Sequence, residues 1–311
     1  MSELVLQLKN IRKNFGKKQV LTGVSFDAYS GQCIGLLGPN GAGKSTVSKI
    51  ITQLIEKDDG KIFVLGLDSD KSFSDIKKHI TLVPQDFAFY FELTVKENLQ
   101  YFSQAYGLSK KERNERIPKL IDDLSLSRFT NVRAEKLSGG YKRLLNIAIS
   151  LLHNPTLILL DEPTVALDSD MRIKVWEVIE RLKQQGKTII LTTHYLDEAQ
   201  KLCNKIAILK EGRIILFGTP KEIQEQFAKT VRIELTLSKA ITDTILTQIK
   251  KKFAAIETND DKTKITISSE NVLDTLTNVV YLIESKRLVV KDTNIFMPSL
   301  EDAFENIIKG Q

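Results

Sequence analysis

The stretch Gly38-Pro39-Asn40-Gly41-Ala42-Gly43-Lys44-Ser45-Thr46 leaves this chain the least freedom in how it folds. It matches GxxxxGK[ST], a pattern that needs a strand before it and a helix after it. Both are present: the apolar run Cys33-Ile34-Gly35-Leu36-Leu37 precedes it, and Val47, Ile50, Ile51 and Leu54 follow at helical spacing. In such a loop, glycines let backbone amides turn toward phosphate oxygens. The new helix adds the positive end of its dipole. The pattern places Lys44 on the β- and γ-phosphates and the Ser45 hydroxyl on Mg²⁺.

Two more short apolar runs resemble the first, Leu157-Ile158-Leu159-Leu160 and Thr188-Ile189-Ile190-Leu191. Continuous rather than alternating, they suit strands buried on both faces of a parallel sheet. Helical patterns lie between them. Ile173, Trp176, Ile179 and Leu182 predict one helix face, with Asp168-Ser169 as its cap and Gly186 as its stop. Strands alternating with helices predict an α/β, doubly wound core. Leu4, Leu6 and Leu8, and later Val24 and Phe26, alternate with polar residues as half-exposed antiparallel strands do. Residues 87 to about 135 read as a charged helical insert.

The pattern changes near residue 228. Val231, Ile233, Leu235 and Leu237 predict a strand, and Ile241, Ile245 and Ile249 a helix. Ile265 and Ile267 predict a second strand, and Val272, Leu276, Val280 and Ile283 a second helix. The expected organisation is one large domain over 1–227 and a small α+β domain over 228–311.

Composition removes several classes. No stretch of the 311 residues approaches 18 consecutive apolar positions, so the polypeptide is not expected to span a membrane. The acidic Glu3 stands where a secretory leader would be basic, so no leader is expected. Two cysteines, Cys33 and Cys203, make no disulfide framework and fit a reducing cytosol. A net charge of +6 is scattered, without a basic block or basic–aromatic interleaving, so no nucleic-acid partner is expected.

Chemistry concentrates at three further places. Asp161-Glu162 follows the second apolar run directly. Ligands of a doubly wound sheet sit at the carboxyl ends of its strands. Asp161 is therefore placed to hold the Mg²⁺ shell, and Glu162 to orient or deprotonate a water. His194 closes the third run in the same way; His79 and His153 lack such a setting and read as structural. Leu137-Ser138-Gly139-Gly140 reads as a helix start capped by serine. Its amides also make a second anion site, suited to a nucleotide held by another molecule.

In this order, the motifs resemble those of the nucleotide-binding subunits of ATP-binding cassette (ABC) transporters. The likeness is strongest to exporters whose ATPase and membrane parts are separate chains. It covers residues 4 to about 220. It makes Gly38 to Thr46 the phosphate loop (Gly38, Pro39, Asn40, Gly41, Ala42, Gly43, Lys44, Ser45, Thr46) and Leu157–Asp161 with Glu162 the Walker B strand and catalytic glutamate. It makes Gln85 the Q-loop glutamine, which touches Mg²⁺, and Ser138, Gly139 and Gly140 the signature. Asp168 becomes the D-loop aspartate, His194 the switch histidine, and Phe15 the aromatic under the adenine. The tail Pro298–Phe304 is also similar to the end of many exporter ATPases. Two positions depart from the family pattern: Tyr141 where glutamine is commonest, and Val165 where a small residue is usual.

The resemblance implies an ATPase using ATP and Mg²⁺. Two subunits, as a homodimer, would each hold one ATP between one phosphate loop and the other's signature, bound to a transmembrane permease on the cytoplasmic face of the membrane. A soluble mechanical ATPase is the competing class, but the chain has one cassette and no sustained heptads. A GTPase is disfavoured because Asn204-Lys205-Ile206-Ala207 lacks the guanine-reading aspartate.

Overall fold

In Cys33–Leu37, Leu157–Asp161 and Thr188–Thr192 all five residues are buried, which is why their sequences show no alternation. The computed structural model describes residues 3–227, 231–253, 255–269, 272–296, 299–301 and 304. Its contacts divide the chain into Met1–Pro220 and Lys221–Gln311.

In chain order the first unit runs β1 (Leu4–Phe15), β2 (Lys18–Tyr29), β3 (Cys33–Leu37), α1 (Lys44–Ile51), β4 (Asp59–Val64), β5 (Leu67–Asp68), α2 (Ser69–Ile76) and β6 (Ile80–Val83). It continues with α3 (Val95–Ala105), α4 (Lys110–Asp123), α5 (Gly139–Ser150), β7 (Leu157–Asp161), α6 (Ser169–Gln184), β8 (Thr188–Thr192), α7 (Leu196–Leu202), β9 (Lys205–Lys210) and β10 (Arg213–Gly218). One sheet has the order β10-β9-β3-β8-β7-β6, and the other the order β2-β1-β4-β5. In the first, β9, β3, β8, β7 and β6 run parallel, so the ends of β3, β7 and β8 open on the same edge. Register pairs Leu36 with Thr192 and Asp161 with Thr192, which brings the three strand ends level. The second sheet is antiparallel, as the alternation at Leu4 to Leu8 predicts.

The insert is helical as expected. Both its helices open with capping boxes, Thr94 with Glu97 on α3 and Ser109 with Glu112 on α4.

Of the α6 face expected from a three-residue repeat, the C-terminal half (Ile179 and Leu182) is buried and the N-terminal half is not. Met171, Val175, Val178, Ile179 and Leu182 are buried, while Ile173 is 50% exposed. Steps of three fall behind a 3.6-residue turn and drift off one face, whereas steps of four and three alternately stay on it.

The division falls at the first residue of α8 (Pro220–Phe227), and the second unit continues with β11 (Val231–Leu237), α9 (Asp243–Lys252), β12 (Ala255–Thr258), β13 (Lys264–Ser269), α10 (Val272–Ser285) and β14 (Val290–Phe296). Its antiparallel sheet has the order β12-β13-β11-β14. From β11 on this is the split βαβ arrangement of ferredoxin-like folds. Ile233, Leu235, Ile249, Ile265 and Ile267 are its fully buried centre.

Three sequence expectations need correction here. Ile241 is buried but lies outside α9, which begins after the Thr242 cap. On α10 Leu276 and Ile283 pack partly buried against the core as expected, but the buried positions are Thr275, Val279 and Leu282, Val280 is 54% exposed, and the Val272 side chain lies outside the described residues. Steps of four run ahead of the helical turn as steps of three fall behind. The strands β12 and β14 were not expected; among the described residues β14 pairs with β11 only, and it carries Lys291, Asp292, Thr293 and Asn294, so its alternation is weak. The expected domain boundary after residue 227 abuts 228–230, outside the described residues, as are Pro298, Asp302 and Ala303 of the tail.

Candidate active site

The phosphate loop connects β3 to α1. At Gly38 a Cβ would lie 2.2 Å from the Leu209 carbonyl oxygen, so only glycine lets the loop pass β9 this closely. Lys44 opens α1 with 5% of its surface exposed. Its Nζ folds back to the carbonyls of Gly38 (2.9 Å) and Pro39 (3.3 Å). Burial holds its pKa below the usual lysine value, while Glu162 and Asp161 pull it upward. It is thus a desolvated cation aimed at the loop interior, where an anionic phosphate gains most from it.

Asp161 ends β7 and is buried. Its Oδ1 accepts from Ser45 Oγ at 2.9 Å and from Thr192 Oγ1 at 2.5 Å. Sequence reasoning passed over Thr192; a hydroxyl ending an otherwise apolar buried strand was the available signal. Thr192 also orders Glu162, whose backbone N–H donates to the Thr192 carbonyl and hydroxyl, both at 3.1 Å. Glu162 sits at φ 46°, in the left-handed region, where non-glycine residues are uncommon. That turn swings its side chain out of the sheet edge. There Oε2 meets Nδ1 of His194 at 3.4 Å. His194 stacks on Tyr195 with ring centroids 4.2 Å apart.

A cavity of about 490 Å³ is lined by Phe15, Asn40, Gly41, Gly43, Lys44, Ser45, Thr46, Gln85 and Glu162, together with Lys18 and Val20. Nine residues singled out in the sequence therefore converge on one hollow. Gly38, Pro39 and Ala42 form the loop behind it. Lys18 and Val20 were missed; Phe15 and Lys18 pair across the two-residue β1–β2 turn, so the hairpin itself was the signal.

Ser138, Gly139, Gly140 and Asp168 lie outside that cavity's lining. Ser138 occupies the cap position of α5, but its side chain makes no capping bond, contrary to the expected serine cap. Hydroxyl and first amides of α5 together present a polar rim. Asp168 does cap, accepting from Met171 N at 2.9 Å at the start of α6. The two helix starts touch: a Cβ on Gly140 would lie 2.5 Å from Met171 Cγ.

From the same α5 helix, Arg143 (3% exposed) donates to the carbonyls of Pro84 (2.9 Å) and Gln85 (2.7 Å). Asn146 reaches the carbonyls of Pro84 and Asp86 and accepts from Ala88 N. Gln85 is thus held through its backbone by the helix that begins at Gly139. Tyr141 is buried, stacks on Phe129 at 4.3 Å, and accepts hydrogen bonds from Arg128 and Lys174. The family-atypical residue joins the insert to α6.

Glu198 on α7 is fully buried. It accepts from Thr164 Oγ1 at 2.8 Å and Trp176 Nε1 at 3.1 Å, and burial pushes its pKa up. It ties the segment after Glu162 to the helix after His194. His153 is structural, bonded to the Ile80 carbonyl and stacked on Tyr106. Asn204 accepts from Cys33 N, a structural bond. Cys33 and Cys203 are both buried with Sγ atoms 3.7 Å apart; the bond to Cys33 and then burial hold the Cys203 thiol protonated.

A phosphate loop, two carboxylates and a histidine on one parallel-sheet edge define a P-loop nucleotide hydrolase. The family profile described as ABC transporter matches residues 21–165. The chain is 34% identical over 305 residues to the linearmycin resistance ATP-binding protein LnrL of Bacillus subtilis (strain 168), covering 97% of this chain and 98% of that protein. It is 40% identical over 235 residues to the Nod factor export ATP-binding protein I of Rhizobium sp. (strain N33), covering 76% and 77%. A solved structure described as an ATP binding subunit of an ABC transporter superposes with a TM-score of 0.65 at 32% identity, over 72% of this chain and 93% of that one. The dimeric cassette MJ0796 bound to ADP and Pi gives 0.62 at 29% identity, over 69% and 98%. The chain belongs to the ATP-binding subunits of the ABC transporter family. It is an ATPase of ABC type, and it works as part of a transporter.

Proposed function

We propose that this chain powers export through a separate transmembrane permease, as one half of a homodimer that buries two ATP molecules. The observation carrying the reading is the split site. Phe15, Lys44, Ser45, Gln85 and Glu162 share one hollow, whereas Ser138 stands at a helix start outside its lining with its hydroxyl not used as a cap. A second copy facing the first would bring that serine and the α5 amides to the exposed side of the nucleotide. The MJ0796 cassette was solved as a dimer.

In each site the phosphate loop amides and Lys44 hold the phosphates, and Phe15, 47% exposed, offers a face for the base. Ser45 Oγ, Asp161 and Gln85 are hard oxygen donors and fit Mg²⁺, which would supply charge neutralisation on the phosphates. Glu162 orients and deprotonates the attacking water. His194, held beside it, stabilises the charge that develops on the γ-phosphate. Asp168 sits next to the signature at the α6 start, where the partner would meet it.

Attachment to the permease falls on the segment after Gln85. Tyr90, Phe91 and Tyr101 are exposed large aromatics, packed with Phe89 and Phe102. Such a cluster on a solvent face marks a docking surface. Among the described residues no helix is long and apolar enough to cross a membrane. As the ATPase subunit of a transporter with a separate permease, this protein would lie peripherally on the cytoplasmic face. Export is favoured over a soluble mechanical role by the relatives, whose names are those of resistance and export ATP-binding proteins. Residues 228–311 would form an accessory domain.

Tagged protein purified from detergent-solubilised membranes of its own cell should bring a polytopic membrane protein with it. Tyr90→Ala with Tyr101→Ala should lose that partner while keeping ATPase activity. Recovery of ribosomes or repair proteins instead would overturn the transport reading.

A further inference from the structure

A second hollow of about 250 Å³ lies between α4 and α6, and shares no lining residue with the nucleotide site. Four cations line it, Arg116 and Lys119 from α4, Arg181 from α6 and Lys187 before β8, against two carboxylates, Glu115 and Asp123. Its apolar wall comes from Leu120, Leu124, Leu151, Val178 and Leu182.

The cations are only partly compensated. Arg181 is engaged with Asp123, through the backbone carbonyl and the carboxylate at 3.9 Å. Arg116 donates to the Leu152 carbonyl at 3.0 Å and faces Glu112 at 3.5 Å. Lys187 donates to the neutral Asn154 amide oxygen at 2.6 Å. Burial and the charge of Arg116 depress its pKa. Two like charges on a half-buried wall, one of them bonded to a neutral amide, leave positive potential directed into the hollow.

We propose that this cavity binds a small organic anion, an oxyanion head group on a compact apolar body. The head would lie between Arg116 and Lys187, and the body against Leu124, Val178 and Leu182. The volume is below the roughly 300–1,000 Å³ of sites for drug-sized ligands, which restricts the occupant to a small molecule. Its occupant would bridge α4 of the insert and α6, the helix that Asp168 starts.

The chain has three histidines, which makes the test direct. His153 adjoins Asn154; burial, then the charges of Arg116, Lys187 and His79, lower its pKa, against the Ile80 carbonyl that raises it. His194 reports on the nucleotide site instead. The probe is phenyl phosphate, followed by imidazole NMR on the full chain with Mg²⁺ and saturating ADP, so that the phosphate loop stays filled. Binding should raise the pKa of His153 and leave His194 unmoved. Lys187→Gln, which retains a donor to Asn154, should weaken the response at least tenfold. A second variant, Arg116→Gln, removes the other cation beside the head and should weaken the response likewise, without touching the Asn154 bond. No change at His153 would overturn the proposal, as would an equal response in Lys187→Gln. An equal response to inorganic phosphate would also overturn it, since the apolar wall would then contribute nothing.

Discussion

His194 Nδ1 lies 3.4 Å from Glu162 Oε2, although the two are 32 positions apart in sequence; one carboxylate and one imidazole close the ends of adjacent parallel strands. The pair depends on Thr192, which holds the Glu162 backbone by two hydrogen bonds. Glu162→Gln keeps the volume and loses the base. It should bind ATP as tightly as wild type and hydrolyse it about 10²–10⁴-fold more slowly, the usual contribution of a positioned general base. Steady-state turnover with nucleotide binding measured on the same samples checks both halves. Wild-type turnover would remove Glu162 from its role.

Lys44 is buried, and its pKa lies below 10.5 chiefly because of that burial. The folded state therefore holds this proton less firmly than the unfolded chain. The cost is present at neutral pH and disappears as pH rises through the interval below 10.5. Lys44→Met should abolish ATP binding and leave the nucleotide-free melting temperature equal or higher. A lower melting temperature would mean that the bonds to Gly38 and Pro39 outweigh desolvation.

Glu198 shifts in the other direction. Burial raises its carboxyl above the usual 4.5, so its contribution to stability is full below that pH and is lost as pH rises through the folded value. Glu198→Gln keeps an acceptor for Thr164 and Trp176 without the ionisation. Denaturant titrations should show the variant at least as stable as wild type at neutral pH, and the pH slope above 4.5 flattened. An unchanged slope would show that Glu198 stays ionised in the fold.

Tyr141 should be tolerant in function and demanding in packing. Its hydroxyl serves Arg128 and Lys174, so Tyr141→Phe should cost about 1–2 kcal/mol. Tyr141→Ala also empties the space beside Phe129, at about 3–5 kcal/mol. Tyr141→Gln should retain ATPase activity, because Ser138 and the glycines are untouched. Thermal melts and turnover on the three variants separate the two roles.

The core was legible where local pattern and burial agree. Continuous apolar runs became β3, β7 and β8, and the motif residues at their ends fell on one edge because the strands are parallel. Patterns with the wrong step misled: Ile173 and Val280 are both apolar and both exposed. Residues whose role depends on long-range side-chain partners left at most a faint signature. Thr192 meets Asp161 only once β7 and β8 pair, Lys18 faces Phe15 only across the hairpin, and Glu198 finds Thr164 only when α7 packs beside the segment after Glu162. The second unit lost its edge strand β14 to the reading because a strand paired on one side carries polar residues.

Arg143 gives the sharpest test of whether signature and Q-loop move as one body. Its guanidinium spans two successive carbonyls, Pro84 at 2.9 Å and Gln85 at 2.7 Å. A planar fork can satisfy both at once; an ammonium on a flexible stem cannot hold the same geometry. Arg143→Lys preserves the charge and gives up the fork. It should fold, since Asn146 still binds Pro84 and Asp86. The KM for ATP should remain close to wild type, because the phosphate loop is intact, while kcat falls as Gln85 loses its fixed place beside Ser45 and Glu162. Reconstituted with its permease, the variant should also lose stimulation of ATPase activity by the membrane partner more than it loses basal turnover. Equal losses in both would mean that Arg143 supports the fold of the insert and carries no link between α5 and the segment around Gln85.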